Sequence, residues 1–308
     1  MSCISPILVR RGASTVLAPC GRCLSCCIAK QSSLEFLCKK ELQAVYKRGL
    51  GASFVTLTYN KNSVPYVSSD SPYQTLVKRD FDLYVKRMRY FIDKDNLPEI
   101  KFVATGEYGD TLGRPHYHLV YFGLSDYFAN RYTAKAWQYG LYQVGALSAG
   151  GLRYVLKYIT KSRPDREVER FYDSVGVEKP FIKHSKLLGF DWIRNHSQEI
   201  VNNGYTFVQR GKCRLYPAYV RKIVESLTGV DPRPYVDRYL KSIDTHGMSY
   251  DDYMSTQVYT NEVVQRKEMI QQGKPYFLPA FCRRPPAMRV SVDSVVDVSD
   301  IVNDCLIN

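Results

Sequence analysis

The sharpest pattern of apolar and polar positions is Gly113-Arg114-Pro115-His116-Tyr117-His118-Leu119-Val120-Tyr121-Phe122-Gly123. Aromatic and β-branched residues between turn-forming ends predict a β-strand. Strand side chains alternate, so His116 and His118 share one face while Tyr117 and Leu119 take the other. Ser53 to Tyr59, Ile100 to Ala104 and Leu141 to Leu147 predict three more strands. Between them the period changes to that of a helix. About Ile28 to Arg48 carries Leu34, Leu37, Leu42 and Val45 and stops at Gly49 and Gly51. About Gln74 to Asp93 carries Phe81, Val85, Met88 and Ile92. Tyr127 to Trp137 predicts a short helix, and about Gly151 to Lys161 another with Leu152, Val155, Leu156 and Ile159 as its apolar stripe. From Ser53 the order is β-α-β-β-α-β-α. This predicts an α+β fold, an antiparallel sheet with flanking helices of the ferredoxin-like, split β-α-β kind.

The pattern weakens toward the C-terminus. Arg163 to Glu178 reads as a loop, and Phe181 to Phe190 as a nucleic-acid contact or a solvated loop. Asp191 to Val201 predicts a helix, Tyr205–Val208 with Cys213–Tyr216 a hairpin, and Pro217 opens a helix to about Leu227. Pro234 to about Gln272 reads as helical pieces, and the Pro-rich, then Val/Asp/Ser-rich end as a poorly ordered tail. The expected division is 1–48 (cysteine cluster and helix), 49–165 (sheet domain), 166–274 (mostly helical extension with a hairpin) and 275–308 (tail). No apolar run approaches the roughly 20 residues of a membrane span. Met1 to Val9 is too short and too weakly basic for a secretory signal. There is no internal repeat, P-loop or dinucleotide fingerprint.

Charge changes the picture. The net charge is +13, and residues 1–162 carry 22 Lys+Arg against 11 Asp+Glu, whereas 163–272 carry 17 against 15. The excess sits with the histidine strand, which points to a polyanionic partner for that half. Lys78, Arg79, Lys86 and Arg87 on the second helix, and Arg114 before the histidine strand, are candidate phosphate contacts.

Two imidazoles on one strand face can hold a metal ion, although paired histidines also occur as satisfied polar residues. The chain has 5 His in all. A hairpin linking the Ile100 strand to the histidine strand sets Glu107 opposite His116 in one register; a slip of one residue turns it away. A Glu/His/His set leaves positions for a phosphate and water, and suits Mn²⁺ at least as well as Mg²⁺. At about 100° per residue, Tyr154, Tyr158, Lys157 and Lys161 fall on the helix face opposite the apolar stripe. The spacing alone is weak evidence in a chain with 25 Tyr. Two lysines beside two phenols are more specific, because a cation favours the phenolate. Near the N-terminus, Cys20, Cys23, Cys26 and Cys27 form C-x-x-C-x-x-C-C. Three of them with Cys27 or Cys38 as the fourth could hold structural Zn²⁺; free thiols at a helix start are the other reading.

The Phe54–Tyr59 strand, the Gly113–Gly123 segment and the Tyr154–Lys161 helix together resemble the three motifs of HUH endonucleases. They are most similar to the rolling-circle replication initiators of microviruses, the gokushovirus branch in particular, which the Pro19–Cys27 cluster and tandem tyrosines also resemble. The likeness covers about residues 19–162; Tyr117 stands where the motif has a hydrophobic residue. The resemblance implies a nuclease that nicks single-stranded origin DNA with Mg²⁺ or Mn²⁺ held by His116, His118 and Glu107. One tyrosine of Tyr154 and Tyr158 would become joined to the 5′ phosphate, leaving a 3′ hydroxyl for host polymerase. The other would close the circle, with Lys157 and Lys161 stabilising phosphate charge. Host helicase and polymerase would be partners, in the cytoplasm of an infected bacterium. A transposase or relaxase of the same class, or a non-catalytic single-stranded nucleic-acid-binding protein, are the alternatives.

Overall fold

A computed structural model describes residues 3, 7–11, 14–109, 113–161, 166–203, 205–207 and 213–230. In chain order the elements are β1 (Ile7–Arg11), β2 (Ser14–Ala18), α1 (Leu24–Lys47), β3 (Ala52–Tyr59), α2 (Lys78–Lys94), β4 (Lys101–Tyr108), β5 (Pro115–Phe122), α3 (Asp126–Ala136), β6 (Gly140–Ala146), α4 (Ala149–Lys161), α5 (Arg166–Val175), β7 (Phe181–His184), α6 (Phe190–Asn195), α7 (Ser197–Asn203), β8 (Tyr205–Phe207), β9 (Cys213–Leu215) and α8 (Ala218–Thr228). Among the described residues, those up to Leu50 with those from Ser185 form one compact unit, and Gly51 to His184 the other.

The second unit is built on a five-stranded sheet of order β6-β3-β5-β4-β7, with every neighbouring pair antiparallel. Strands β3 and β4 run the same way with β5 between them, which is the split β-α-β arrangement expected from the sequence. Alternation divides the sheet cleanly. Val55, Leu57, Tyr59, Phe102, Ala104, Tyr108, Tyr117, Leu119 and Tyr121 enter one core. Phe81, Tyr84, Val85, Met88 and Ile92 line one side of α2, at helical spacing, and join that core with Ala129, Tyr132 and Ala136 of α3. The Tyr117 hydroxyl in this core is satisfied: Oη donates to Val77 O (2.9 Å) and accepts from Val77 N (3.0 Å).

Several elements differ from the sequence reading. Strand β4 does not stop at Ala104 but runs on to Tyr108. Gly106 lets it pass under the Phe181 ring, which stands 2.6 Å from where an ideal Cβ would be. Phe181 belongs to β7, so 181–184 is an edge strand rather than a loop. Residues 166–175, read as loop, are helix α5, whose Tyr172 is buried in the core. The hairpin β1–β2 was not expected at all.

In the first unit, α1 buries Leu34, Leu37, Cys38, Glu41 and Val45. Glu41 Oε2 accepts the Gly189 N–H at 2.8 Å, and Phe36 meets Trp192 and Tyr216 edge-on at 5.5 and 5.9 Å. The helix expected over 191–201 is two short ones, α6 and α7, broken at His196, whose Nδ1 and N–H both turn back to Trp192 O. The stretches 234–272 and 275–308 lie outside the described residues. Among the described residues no helix is long and apolar enough to cross a membrane.

Candidate active site

The face of the sheet turned away from the tyrosine-rich core carries His116 and His118 from β5. Antiparallel pairing places Thr58 and Thr56 of β3 beside them on one side, and Glu107 and Thr105 of β4 on the other. Each imidazole is braced from behind: His116 Nδ1 lies 3.0 Å from Thr58 Oγ1, and His118 Nδ1 lies 3.0 Å from Thr56 Oγ1. Glu107 pairs with His116 in register, as one hairpin register requires. Its carboxylate nevertheless reaches diagonally, with Oε1 2.8 Å from His118 Nε2. Glu107 and His118 are both buried, at 5% and 7% exposure, so this contact is shielded from water.

Burial pushes the His116 pKa below its ordinary 6.5; the neighbouring His118 and Arg114 push the same way and Glu107 opposes them. His116 is therefore neutral at pH 7, the form that can ligate a metal. Gly109 abuts its outer nitrogen: an ideal Cβ there would stand 2.9 Å from His116 Nε2. A side chain at 109 would therefore crowd that nitrogen. Two imidazoles held at Nδ1 beside a carboxylate are donor types that suit a divalent cation bound through nitrogen and oxygen, although as placed here Glu107 Oε1 is hydrogen-bonded to His118 Nε2.

Helix α4 brings the phenols to this face. The Tyr154 ring meets His118 edge-on at 4.9 Å, and the Tyr158 ring stacks on it at 6.1 Å, 10° from parallel. Phe54 of β3 touches both His118 and Tyr154, at 6.0 Å each. Tyr158 Oη donates to Tyr154 Oη at 2.9 Å. Lys157 Nζ sits 4.0 Å from the centre of the Tyr154 ring and 5.2 Å from that of Tyr158. Burial, then the Glu107 carboxylate and the Tyr154 hydroxyl, hold the Tyr158 phenol far above its ordinary pKa.

One expectation about α4 needs correction. The tyrosines do not lie on an open polar face. Tyr158 is 2% exposed, together with buried Leu152, Val155 and Leu156, while Tyr154 is half-buried. The reason is that the sheet face beneath is itself polar and aromatic, so phenols pack there as well as leucines do. The side chain of Lys161, at the end of the helix, lies outside the described residues.

The other sequence candidates fall in different places. Arg114 immediately precedes the site strand. Helix α2 packs on the opposite face of the sheet, so Lys78, Arg79, Lys86 and Arg87 belong to the layer away from the histidines. Lys78 is already paired with Glu178 (2.6 Å), and Arg87 Nη1 donates to Ala136 O (3.2 Å), while Arg79 and Lys86 are exposed. In the cysteine cluster, Cys20, Cys23 and Cys26 converge, but Cys27 does not join them: its Sγ points to Arg22 O at 3.7 Å. Cys38 is buried within α1, and the fourth sulfur is that of Cys3. Phe54, Thr56 and Thr58 were missed as site residues. Their spacing of two in a strand showed that they share a face, but only the pairing shows which face.

Residues 52–163 match the model of the ORF2 family of replication-associated proteins. That span runs from β3 through α4, so the part of the chain similar to this family is the part that holds the site. The chain is 24% identical over 253 residues to the replication-associated protein VP4 of Bdellovibrio phage phiMH2K, covering 76% of this chain and 70% of the relative. It is 25% identical over 283 residues to the replication-associated protein ORF4 of Chlamydia phage 1, covering 80% and 70%. A third similarity, 23% over 208 residues, is to the replication-associated protein ORF2 of Spiroplasma virus 4, covering 63% and 62%. No solved structure matches. The resemblance to phage replication initiators read from the sequence is borne out.

Proposed function

We propose that this protein initiates phage DNA replication by nicking single-stranded origin DNA through attack of a tyrosine, and later rejoins it. What carries the reading is one juxtaposition: the His118 imidazole packed against both Tyr154 and Tyr158, with Glu107 hydrogen-bonded to the same ring. In the first step a phenol oxygen bonds to the scissile phosphorus and the bond from phosphorus to the 3′ oxygen breaks. The phenol proton leaves to solvent, and the 3′ oxygen takes a proton from water. The DNA is then joined by its 5′ phosphate to the protein and ends in a 3′ hydroxyl that can prime synthesis. A divalent cation, Mg²⁺ or Mn²⁺, held by His116, His118 and Glu107 would polarise the phosphate. Thr56 and Thr58 orient the two imidazoles, and the Lys157 ammonium offsets negative charge near Tyr154.

We assign the first attack to Tyr154. It is the more exposed phenol, it lies closer to Lys157, and its oxygen accepts the Tyr158 hydroxyl hydrogen bond. That bond stabilises a phenolate on Tyr154. Tyr158 is buried beside a carboxylate that opposes its ionisation, which suits a second, later nucleophile. A non-catalytic nucleic-acid-binding sheet would need open aromatics on this face for base stacking; here α4 packs over it. A transposase or relaxase would use the same chemistry on another DNA end, and the phage relatives favour initiation.

The test is incubation with labelled single-stranded DNA carrying the phage origin and Mn²⁺, followed by a denaturing gel and peptide mapping. A DNA adduct on Tyr154 is the expected result. An adduct that persists in the Tyr154→Phe, Tyr158→Phe double variant would overturn the site.

A further inference from the structure

The first unit brings together four cysteines that lie up to 23 positions apart in sequence. The Sγ atoms of Cys3, Cys20, Cys23 and Cys26 all lie within 4.8 Å of one another. Two contacts that share no atom, Cys20 to Cys26 and Cys3 to Cys23, are each 3.9 Å. A tetrahedral ion with metal–sulfur bonds of about 2.3 Å has sulfur–sulfur edges of about 3.8 Å. The two contacts thus have the length of opposite edges of such a tetrahedron. They are far too long for disulfides, whose bonded sulfurs are about 2.05 Å apart.

Backbone N–H groups surround two of the sulfurs. Cys20 Sγ accepts the N–H groups of Arg22 (3.4 Å) and Cys23 (3.3 Å), where the chain turns at Gly21 (φ +73°). Cys3 Sγ accepts the Cys20 N–H at 3.2 Å. Cys23 is the N-cap of α1 and Cys26 lies in its first turn, where the helix end favours negative charge. Cys27, one residue on, points its sulfur at the Arg22 carbonyl as a thiol donor and stands outside the set. A polynuclear iron–sulfur cluster would put its own atoms between the protein sulfurs and hold them farther apart, so a single ion fits better.

We propose that Cys3, Cys20, Cys23 and Cys26 bind one Zn²⁺ in a closed, structural tetrathiolate site. The site joins Cys3, just before the β1–β2 hairpin, to the start of α1, just after it. A two-stranded hairpin is marginal by itself. This one exposes Ile7 (49%) and Leu8 (72%) instead of burying them. The metal ties the hairpin to α1 and so offsets that exposure.

The full chain, purified under reducing conditions without chelator, is expected to carry one zinc per chain by elemental analysis. X-ray absorption should show four sulfurs at about 2.3 Å. Replacement by Co²⁺ should give the charge-transfer and visible bands of a tetrahedral thiolate complex. Cys3→Ser should lower zinc affinity by more than ~10-fold in competition with a chromophoric chelator, since even losing a group that only hydrogen-bonds to a ligand costs that much. Cys27→Ser should not lower it. His116→Ala with His118→Ala should keep the zinc, which separates this site from the proposed nuclease metal. Chelation of the wild type should speed amide exchange in residues 7–18, a readout that survives if Cys3→Ser misfolds. The proposal falls if reduced wild-type protein takes up neither zinc nor Co²⁺. It also falls if nitrogen or oxygen ligands appear in the absorption data, or if Cys27→Ser, not Cys3→Ser, loses the metal.

Discussion

The two faces of the five-stranded sheet use the same residue types for opposite ends. On one, Tyr59, Tyr108, Tyr117 and Tyr121 are buried among Phe81, Met88 and Trp137, and the Tyr108 and Tyr117 hydroxyls bond main-chain groups of 76–77 and 178. On the other, Tyr154 and Tyr158 pack on His118, and their hydroxyls bond each other beside a carboxylate. Burial raises the pKa of Tyr108, Tyr117 and Tyr121 as well as that of Tyr158. A raised pKa therefore does not separate Tyr158 from the core tyrosines. What sets the site face apart is that the Lys157 ammonium and the Glu107/His116/His118 set stand beside its phenols.

The largest expected effect falls on the site face. Tyr154→Phe with Tyr158→Phe should abolish the covalent DNA adduct, a loss of roughly 10³-fold or more, as expected when a nucleophile is removed. Tyr158→Phe alone should leave a slower adduct on Tyr154, down roughly 10- to 100-fold for one hydrogen bond to a charged oxygen. Equal loss in the two single variants, measured by gel quantitation, would break the proposed order of attack.

Next come the supports behind the rings. Thr56→Val and Thr58→Val should each weaken Mn²⁺ binding by about 10- to 100-fold, as the loss of a hydrogen bond that orients a ligating imidazole does. Calorimetric titration checks this, with the urea midpoint as the control for folding. On the core face, Tyr117→Phe should cost about 1–3 kcal/mol of stability, because it removes the partner of the part-buried Val77 amide. Adduct formation per folded molecule should be unchanged, and a selective loss of activity there would erase the contrast between the faces.

The smallest effect is a slope. The folded-state pKa of His116 lies below its ordinary 6.5, so the unfolded chain binds the proton more readily. The stability that follows is complete above about pH 6.5 and is lost as pH falls through the folded value. Unfolding midpoints at pH 7.5 and below 6 should differ more in the wild type than in His116→Asn. An unchanged slope in the variant would mean that burial of this ring contributes little.

Much of this could be read before the fold. Successive strand residues point oppositely whatever the partner strand, so the division of His116 and His118 from Tyr117 and Leu119 was already decided. Helix period did the same for the core face of α2. Where local rules misled, a distant neighbour was responsible. Phe181 covers Gly106, pairing with β5 carries β4 past it, and a polar sheet face turns Tyr158 into a buried residue.

The amino-acid order alone determined the strand and helix identities from β3 to α4, the pairing of two imidazoles on one face, and the four-residue spacing of the phenols. These follow from the fixed geometry of a strand and a helix, which local residues impose. Only the tertiary structure decided that Thr56 and Thr58 stand behind the imidazoles, that Glu107 reaches His118, that α2 carries its basic residues to the other layer, and that Cys3 rather than Cys27 completes the sulfur cluster. Each of those joins depends on strand register or long-range packing, and a single-residue slip would exchange one set of neighbours for another.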